Sequence, residues 1–370
     1  MNSFDRQDWK LDRLFHFPLI TFYTDGGVGL SYNFWWQKNG FRKNPFKSNH
    51  TLSLAYFNGN SAVLGRYNGH WKSVFGPTWD FKLGAFGVGP AFTQFFYGLG
   101  NEYVNYEEVF SEIEEAQSRN FHIVRGTQLD LNLEFVKDFG NNRSLSINPS
   151  VEFINVADEL DDPEEPRFFF FDEAGRNDND FRRKLYAGLG LHYTSDRANS
   201  PTNPTRGYIF KIGADYKQNL SESDFSNLTF SSNVAAYIPF TTTQKVVFAT
   251  NIGGAYTFGD YEFFHANYLS NTSRLRGFRT NRFAGDGIVY HASDLRIRLF
   301  QGSGGLRSGF GIFGSFDYGR AFLEDDDFNE WHTSVGGGIF ITPLDLIGFK
   351  IGYYVGEDDT QISVGGALSF

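Results

Sequence analysis

Hydrophobic and polar positions alternate along most of this chain with the period of a β-strand. In residues 361–370, Ile362, Val364, Leu368 and Phe370 fall on one side of an extended chain, and polar or small residues fall on the other. Successive side chains of a strand point to opposite faces, so this segment has one apolar face and one polar face. It fits a soluble sandwich, whose polar face meets water, and equally a transmembrane barrel, whose apolar face meets lipid.

The same alternation recurs in about sixteen segments from end to end of the chain. Bulky charged residues occupy the polar side of several later segments, as at Lys211, Asp215, Arg296 and Arg298. A sandwich or a propeller does not require charged side chains of this size opposite continuous apolar rows. We therefore predict an all-β fold, a 16-stranded antiparallel transmembrane β-barrel, whose strands have the roughly nine to eleven residues that cross a bilayer.

The connections between these segments differ in length. Short ones lie at 58–60, 140–143 and 241–243, and long ones lie at 102–120, 157–180 and 259–285. Transmembrane barrels have short periplasmic turns and long outer loops, and an even strand number places both ends of the chain on the periplasmic side. We interpret residues 1–20 as a periplasmic N-terminal lead-in and residues 21–370 as a single barrel domain.

The composition supports a barrel over a soluble domain. The chain has 43 Phe, 19 Tyr and 41 Gly, yet its mean hydropathy is only −0.37. A barrel reconciles these values because alternate residues face lipid while the others are polar. No segment approaches the roughly 18 apolar residues of a membrane helix. Residues 1–10 lack the apolar region of a signal peptide, so we expect Met1 to mark a trimmed start. The expected location is the outer membrane of a Gram-negative bacterium.

Several chemistries are disfavoured. The chain has no Cys, which excludes disulfides and thiolate sites. Its net charge of −10 argues against a nucleic-acid partner, which needs basic stripes. The eight His residues are scattered singly, and no Ser-His-Asp arrangement can be proposed. We expect no catalytic residues, no metal and no cofactor, and hence a protein that is not an enzyme.

One late loop carries an unusual motif. Four arginines fall within residues 274–282, at Arg274, Arg276, Arg279 and Arg282, and the triplet Arg276-Gly277-Phe278 lies among them. About eleven predicted strands precede this loop and five follow it. An arginine inside a barrel must be hydrated or paired, and a carboxylate can bind its guanidinium with two charge-assisted bonds. The alternative is a solvated outer loop that touches anionic lipopolysaccharide.

The triplet and its position resemble the BamA-type superfamily of outer-membrane assembly and translocation barrels, also called bacterial surface antigens. This resemblance implies that the loop between strands eleven and twelve folds into the lumen. It also implies that the triplet contacts acidic and aromatic residues of strands twelve and thirteen. Asp294 lies on the polar side of strand twelve, and residues 314–319 resemble the family's Phe-x-Asp-x-Gly pattern, with Asp317 and Gly319 at the matching positions. Glycine at position 277 lets the backbone approach the wall closely.

A second segment, residues 95–102, is similar to Bacteroidetes-type barrels that are found fused behind a periplasmic metallophosphoesterase. The simpler interpretation is a glycine-rich hairpin that bends a strand. Neither the metal-binding constellation of such an enzyme nor a polypeptide-transport-associated domain is expected within this chain.

Three functional classes remain open. In the first, the barrel assembles or translocates polypeptides through a weak seam between its first and last strands, where Gly26, Gly27 and Gly29 would weaken the first strand and Phe370 would close the last. In the second, it anchors a metallophosphoesterase domain that is absent from this chain. In the third, it is a passive pore. The expected partners are outer-membrane lipids and lipopolysaccharide, with nascent outer-membrane proteins or periplasmic domains as further candidates, and the barrel is expected to be monomeric.

Overall fold

The wall of the molecule is one antiparallel sheet of sixteen strands. The computed structural model describes residues 11–23, 27–40, 43–59, 61–101, 119–157, 183–221, 225–271, 273–302, 308–324, 330–343, 348–357, 359–365 and 368–370. The first eight strands are β1 (Arg13–Tyr23), β2 (Gly27–Gly40), β3 (Lys43–Phe57), β4 (Val63–Trp71), β5 (Trp79–Phe95), β6 (Ile123–Asp138), β7 (Arg143–Val156) and β8 (Lys184–Asp196).

The second half of the wall follows the same up-and-down order. Its strands are β9 (Gly207–Asn219), β10 (Ser226–Pro239), β11 (Val246–Gly259), β14 (Gly287–Gln301), β15 (Gly309–Phe322), β16 (His332–Thr342), β17 (Phe349–Val355) and β18 (Thr360–Gly365). Two short strands, β12 (Asn267–Tyr268) and β13 (Ala284–Gly285), pair with each other inside the connection from β11 to β14. Each wall strand is bonded to its neighbours in sequence order. The predicted strand number and antiparallel order are confirmed, as is the long loop after the eleventh strand.

Alternate side chains of the wall divide between its two faces. In β9, Tyr208, Ile212 and Tyr216 are exposed on the outer face, while Lys211 and Asp215 line a cavity on the inner face. An outer face of exposed large apolar residues is what a lipid environment requires, because hydrocarbon replaces the core of a soluble domain. No helix of the described residues is long and apolar enough to cross a membrane.

The first strand differs from the prediction. β1 begins at Arg13, eight residues before position 21, and pairs with β2 along eleven residues. Alternation does not identify it because both of its faces are apolar, as Leu14, Phe15 and Phe17 illustrate. Gly27 and Gly29 consequently lie in the second strand, and Gly26 lies outside the described residues.

The connections also deviate from a simple alternation of lengths. The turn at 58–62 lies at the same end of the barrel as the long connections 96–122, 157–183 and 260–286, although we grouped it with the short ones. The opposite end has the turns at 41–42, 139–142 and 240–245. The three longest connections therefore lie at one end, and we call the opposite end, which has none of them, the short-turn end.

The end of the chain turns inward. Ile362 and Val364 are exposed on the outer face as predicted, at 74% and 71%. β18, however, stops at Gly365, where its ladder with β17 ends at the Lys350–Gly365 pair. Leu368 is buried with Phe313, Phe340 and Tyr354. The prediction that Leu368 and Phe370 face lipid is wrong, because an apolar pocket inside the barrel takes these residues once the strand ladder has ended.

Candidate functional site: the loop against the lumen wall

The connection between β11 and β14 is folded on itself and packed against the inner wall. A 3₁₀ turn at Phe263–His265 and the β12–β13 pair give it regular structure. Its apolar side chains form a buried cluster with residues of β14 and β15: Leu269, Leu275, Phe278, Phe283, Ile288, Tyr290 and Ala321. A connection with its own buried cluster has a defined conformation, which is a requirement for holding polar groups at fixed distances.

Arg276 contacts Asp317 of β15 through three hydrogen bonds. Its Nε donates to Oδ2 at 2.9 Å, its Nη2 donates to Oδ1 at 2.6 Å, and its backbone amide donates to Oδ2 at 3.0 Å. Nη2 also donates to the carbonyl of Ser293 at 3.1 Å. Both side chains are 1% exposed. This two-pronged geometry is specific to arginine, whose planar guanidinium matches a carboxylate.

Asp294 of β14 is the shared partner of several cations. Its Oδ1 accepts from Nη1 of Arg276 at 2.7 Å. Its Oδ2 accepts from Arg296 at 3.1 Å and from Lys350 at 2.9 Å. Two carboxylates, those of Asp294 and Asp317, therefore face three cationic side chains in a buried site. Burial alone would lower the pKa of Arg276, but the negative charge of Asp294 and the hydrogen bonds and charge of Asp317 raise it above its usual range.

The ring of Phe370 lies beside the cations of this cluster. Its ring is 5.5 Å from the guanidinium of Arg276, 5.6 Å from that of Arg296 and 5.9 Å from Nζ of Lys350. Its backbone amide donates to the hydroxyl of Tyr237 in β10 at 3.0 Å. A ring face beside cations is attracted to them electrostatically. The last residue of the chain thus contacts the loop motif, a contact that we did not predict.

Gly277 has no room for a side chain. A Cβ at this position would lie 2.6 Å from the backbone nitrogen of Gly356 and 2.6 Å from Cβ of Ser334. The amide of Gly277 donates to the Ser334 hydroxyl at 3.2 Å. Phe278 follows and is buried, with its ring against the backbone of Gly356 and 5.1 Å from the ring of Phe283. The triplet therefore docks on β16 and β17 as well as on the predicted strands.

Gly319 of β15 accommodates another loop residue. A Cβ here would lie 2.8 Å from Cδ1 of Leu269, which is fully buried. The structure thus brings Arg276, Asp294 and Asp317 into direct contact, with Gly319 adjacent.

The loop has a second attachment on the opposite side of the lumen. Glu262 pairs with Lys184 of β8 at 2.7 Å, and both side chains are at most 2% exposed. The hydroxyl of Tyr186 also donates to Glu262. Next to it, Nε2 of His265 is 2.8 Å from Glu152 of β7. Burial lowers the pKa of His265. The loop therefore spans from β7 and β8 to β14 and β15.

The segment after β5 supports the loop from a third direction. The side-chain amide of Asn101 donates to the carbonyl of Ala321 at 2.5 Å and its oxygen accepts from the Ala321 amide at 2.9 Å. Gly100 donates to the carbonyl of Ala284 in β13 at 2.7 Å. Gly98 and Gly100 have φ angles of +91° and +105°, which favour glycine. Residues 96–101 thus contact the loop and β15, and do not form the simple hairpin that we considered.

The other arginines of the motif also contact the inside of the barrel. The guanidinium of Arg274 is 5.0 Å from the ring centre of Tyr290, and that of Arg282 is 5.5 Å from the ring centre of Tyr97. The amide of Arg279 donates to Asp359 at 2.8 Å, while its side chain remains partly exposed. Arg276 is thus the one arginine of these four whose side chain is held by two carboxylates in the described residues.

A polar cavity of about 740 Å³ remains in the lumen beside the loop. Residues of β8 to β11, the loop and Phe370 line it, including His192, Lys211, Asp215, Asn233, Asn251 and Arg274. Within the described part of the chain, no group of three or more His, Asp or Glu side chains could hold a metal ion.

β1 and β18 are the two edge strands of the described sheet. In the described residues, β1 is paired with β2 alone and β18 with β17 alone. β18 has only six residues. Both strands thus present a backbone edge on one side.

Sequence reasoning missed part of the site. It placed Arg296 on the polar side of its strand but did not connect it with Asp294, and it did not single out Lys350, Ser334 or Tyr354. Lys350 alternates with the outward residues Phe349 and Ile351, which is the one signal that could have placed it inside. Lys184 and Glu262 gave no signal, because they are far apart in the sequence.

A family model described as the Omp85 superfamily domain matches residues 27–369. The chain belongs to the Omp85 superfamily. This confirms the resemblance to BamA-type barrels. A comparison with curated proteins finds no match for this Omp85 chain.

Solved structures show the same fold. The chain is similar to BamA from Haemophilus ducreyi lacking POTRA domains 1–3, with a TM-score of 0.64 and 12% identity, over 97% of this chain and 70% of that chain. It is similar to CdiB from Escherichia coli (TM-score 0.61, 12% identity, 99% of this chain and 64% of that chain) and to CdiB from Acinetobacter baumannii (0.56, 12%, 97% and 60%). The chain spans less than two thirds of both CdiB chains. At this identity the similarity concerns the fold, which is the predicted transmembrane barrel.

Proposed function

We propose that this Omp85 barrel takes part in outer-membrane protein assembly or polypeptide translocation in a Gram-negative bacterium, and that its seam between β1 and β18 is the place where client strands engage. The observation that carries this proposal is that, among the described residues, β1 pairs with β2 alone. An unpaired strand edge presents a row of backbone donors and acceptors, and an extended polypeptide can add to it as a new strand.

Two features of the outer strands support an edge that is not permanently paired. β1 contains Pro18, which has no amide hydrogen to contribute to a ladder and is tolerated at sheet edges. β18 is short at six residues, whereas β1 has eleven, so a ladder between them would be incomplete. Gly27 and Gly29, which we expected to weaken the first strand, belong to the second strand, where Gly29 packs against Phe57 of β3, so they are not part of this seam.

The position of the loop between β11 and β14 supports a barrel in which passage through the lumen is restricted. It is attached to β7 and β8 through Glu152 and Lys184, and to β14 and β15 through Asp294 and Asp317. A segment attached to opposite walls narrows the lumen. This favours a translocase-like barrel over a passive pore.

The seam is tested by placing a photo-crosslinking amino acid at Ile20 of β1, which is 70% exposed. The matched control replaces Ile212 of β9, an isoleucine that is 47% exposed on the outer face far along the wall. In living cells we expect adducts with other outer-membrane polypeptides at Ile20 and not at Ile212. Equal adducts at both positions, or none at Ile20 during active outer-membrane assembly, would refute the proposal.

The passive-pore alternative is tested by single-channel conductance in planar bilayers. We expect small conductance from the intact barrel and larger conductance after deletion of residues 274–286. Large, steady conductance from the intact barrel would favour a pore.

A further inference from the structure

A histidine lies on the lipid-facing side of β3. His50 shares its face with Leu54 and Tyr56, which are exposed, yet only 7% of His50 is exposed. Its cross-strand partners are Trp36 on β2 and Gly69 on β4. A polar ring on this face has hydrocarbon or headgroups as its surroundings, and a buried polar atom without a hydrogen bond is costly. Its position therefore requires an explanation.

Three aromatic side chains enclose this imidazole. The ring of Trp36 stacks on it with a centroid distance of 4.8 Å and an interplanar angle of 9°. The ring of Trp71 meets it edge-on at 4.9 Å. Nδ1 of His50 lies 2.8 Å from the hydroxyl of Tyr67. These contacts fix the orientation of the ring.

The missing side chain at position 69 makes this enclosure possible. A Cβ on Gly69 would lie 2.5 Å from Cη2 of Trp71 and 2.7 Å from the hydroxyl of Tyr67. Both side chains therefore lie across the strand at the glycine, directly beside His50. Glycine at position 69 of β4 thus leaves the space beside His50 that Trp71 and Tyr67 fill.

The enclosure leaves one nitrogen of His50 available. Nδ1 is taken by Tyr67, and this is the one hydrogen bond of the His50 ring within the described ranges. An imidazole nitrogen is a donor or an acceptor according to its tautomer. With the Tyr67 hydroxyl donating to Nδ1, Nε2 carries the hydrogen and is a donor that needs an acceptor from outside the chain.

A cation lies next to this donor on the same face. Lys38 is paired with Ser48, two positions closer to the short-turn end than the Trp36–His50 pair. It is a diagonal neighbour of His50, which places their Cβ atoms roughly 7 Å apart. Lys38 is exposed and has no carboxylate partner among the residues that the structure describes. A cation, a hydrogen-bond donor and two tryptophans are thus grouped at one end of the lipid face.

We propose that Lys38 and His50 bind the phosphate of a phospholipid headgroup in the leaflet at the short-turn end of the barrel. The phosphate accepts from Nζ of Lys38 and from Nε2 of His50, and the tryptophans occupy the headgroup level where such rings are enriched. The acyl chains then follow the apolar face of β3 past Leu54. This site lies on β2 and β3, beside β1, and the proposal depends only on the barrel being in a membrane.

The site is tested by native mass spectrometry of the full chain in detergent, titrated with dioleoyl phosphatidylglycerol. We expect one tightly retained lipid. His50→Phe keeps the aromatic packing but removes Nε2, and Lys38→Gln removes the charge. Each is expected to weaken lipid binding about tenfold, the effect of one charge-assisted hydrogen bond. His50→Gln retains a hydrogen-bond donor and should bind the lipid more tightly than His50→Phe. This result would show that the weaker binding of His50→Phe is not caused by a loss of folding.

Lys137→Gln is the matched control. Lys137 lies at the same end of the outer face and contacts Trp79 at 5.3 Å, but its Nζ donates to Thr78 and no histidine lies beside it. It should leave lipid retention unchanged. Equal losses in Lys137→Gln and Lys38→Gln would overturn the proposal in favour of a general aromatic and cationic belt. Retention of diolein, which lacks phosphate, or displacement of the lipid by inorganic phosphate alone would also overturn it.

Discussion

The carboxylate of Asp317 accepts three hydrogen bonds from Arg276, one from its backbone amide and two from its guanidinium. The residues are 41 positions apart and belong to the loop and to the wall. A buried ion pair is a strong structural constraint, because removing one partner leaves the other charge buried without compensation. The pair therefore couples the position of the loop to the integrity of β15.

The first prediction concerns this pair. Arg276→Ala and Asp317→Ala should each destabilise the folded barrel by about 3–5 kcal/mol, since each leaves a buried charge unpaired. The double variant should be less destabilised than the sum of the two, because the residues are in direct contact. Urea unfolding in lipid vesicles measures all three. Arg298→Ala, which removes a partly exposed arginine of β14 that donates to the carbonyl of Thr243, is the control. Additive effects would show that the pair does not exist in the membrane.

The second prediction concerns the close approach of the loop to the wall. Gly277→Ala introduces a Cβ 2.6 Å from backbone and side-chain atoms of β16 and the residue after β17, so the triplet cannot remain in place. We expect faster protease cleavage within residues 270–286. Gly314→Ala is the matched control, because a Cβ there meets nothing within 4 Å. Identical cleavage rates for the two variants would contradict the docked position of the triplet.

The third prediction concerns the second attachment of the loop. Lys184→Met leaves Glu262 charged and buried, and should destabilise the barrel by about 3–5 kcal/mol. Adding Glu262→Gln removes that charge and should restore much of the stability. Heat-modifiability on gels and urea unfolding measure the effect. If the loss of stability in the double variant equals the sum of the losses in Lys184→Met and in Glu262→Gln, the ion pair is not the origin of the loss.

The fourth prediction concerns acid stability. Burial lowers the pKa of His122 to about 3, with the charges of Arg282 and Arg279 as further causes. The folded state therefore binds a proton less readily than the unfolded state, in which the pKa is near 6.5. The contribution of neutral His122 is complete above about pH 6.5 and decreases as pH falls towards 3. At pH 5 the loss is about 2 kcal/mol. In His122→Phe, which keeps the ring packing, the decrease in stability between pH 7.5 and 5 should be smaller. If stability falls equally in His122→Phe and in the unaltered protein, His122 is not the cause of the acid sensitivity.

Much of the wall was predictable because strand periodicity is local. Alternation identified the outward faces of β9 and of most other strands, and the Arg276-Gly277-Phe278 triplet with Asp294 and Asp317 was identified through a family resemblance. β1 was missed because its two faces are both apolar, so residues 13–23 contain no alternation that marks a strand.

The amino-acid sequence by itself determined the fold class and the face on which each regular strand places its side chains, because a period of two depends only on the backbone geometry of an extended chain. Only the tertiary structure decided which charges meet. Lys184 finds Glu262 across the lumen, Asp294 is shared by three cations, and Phe370 turns inward to them. These contacts depend on the circumference of the sheet and on where each strand ladder ends, which are properties of the assembled wall and of no single segment.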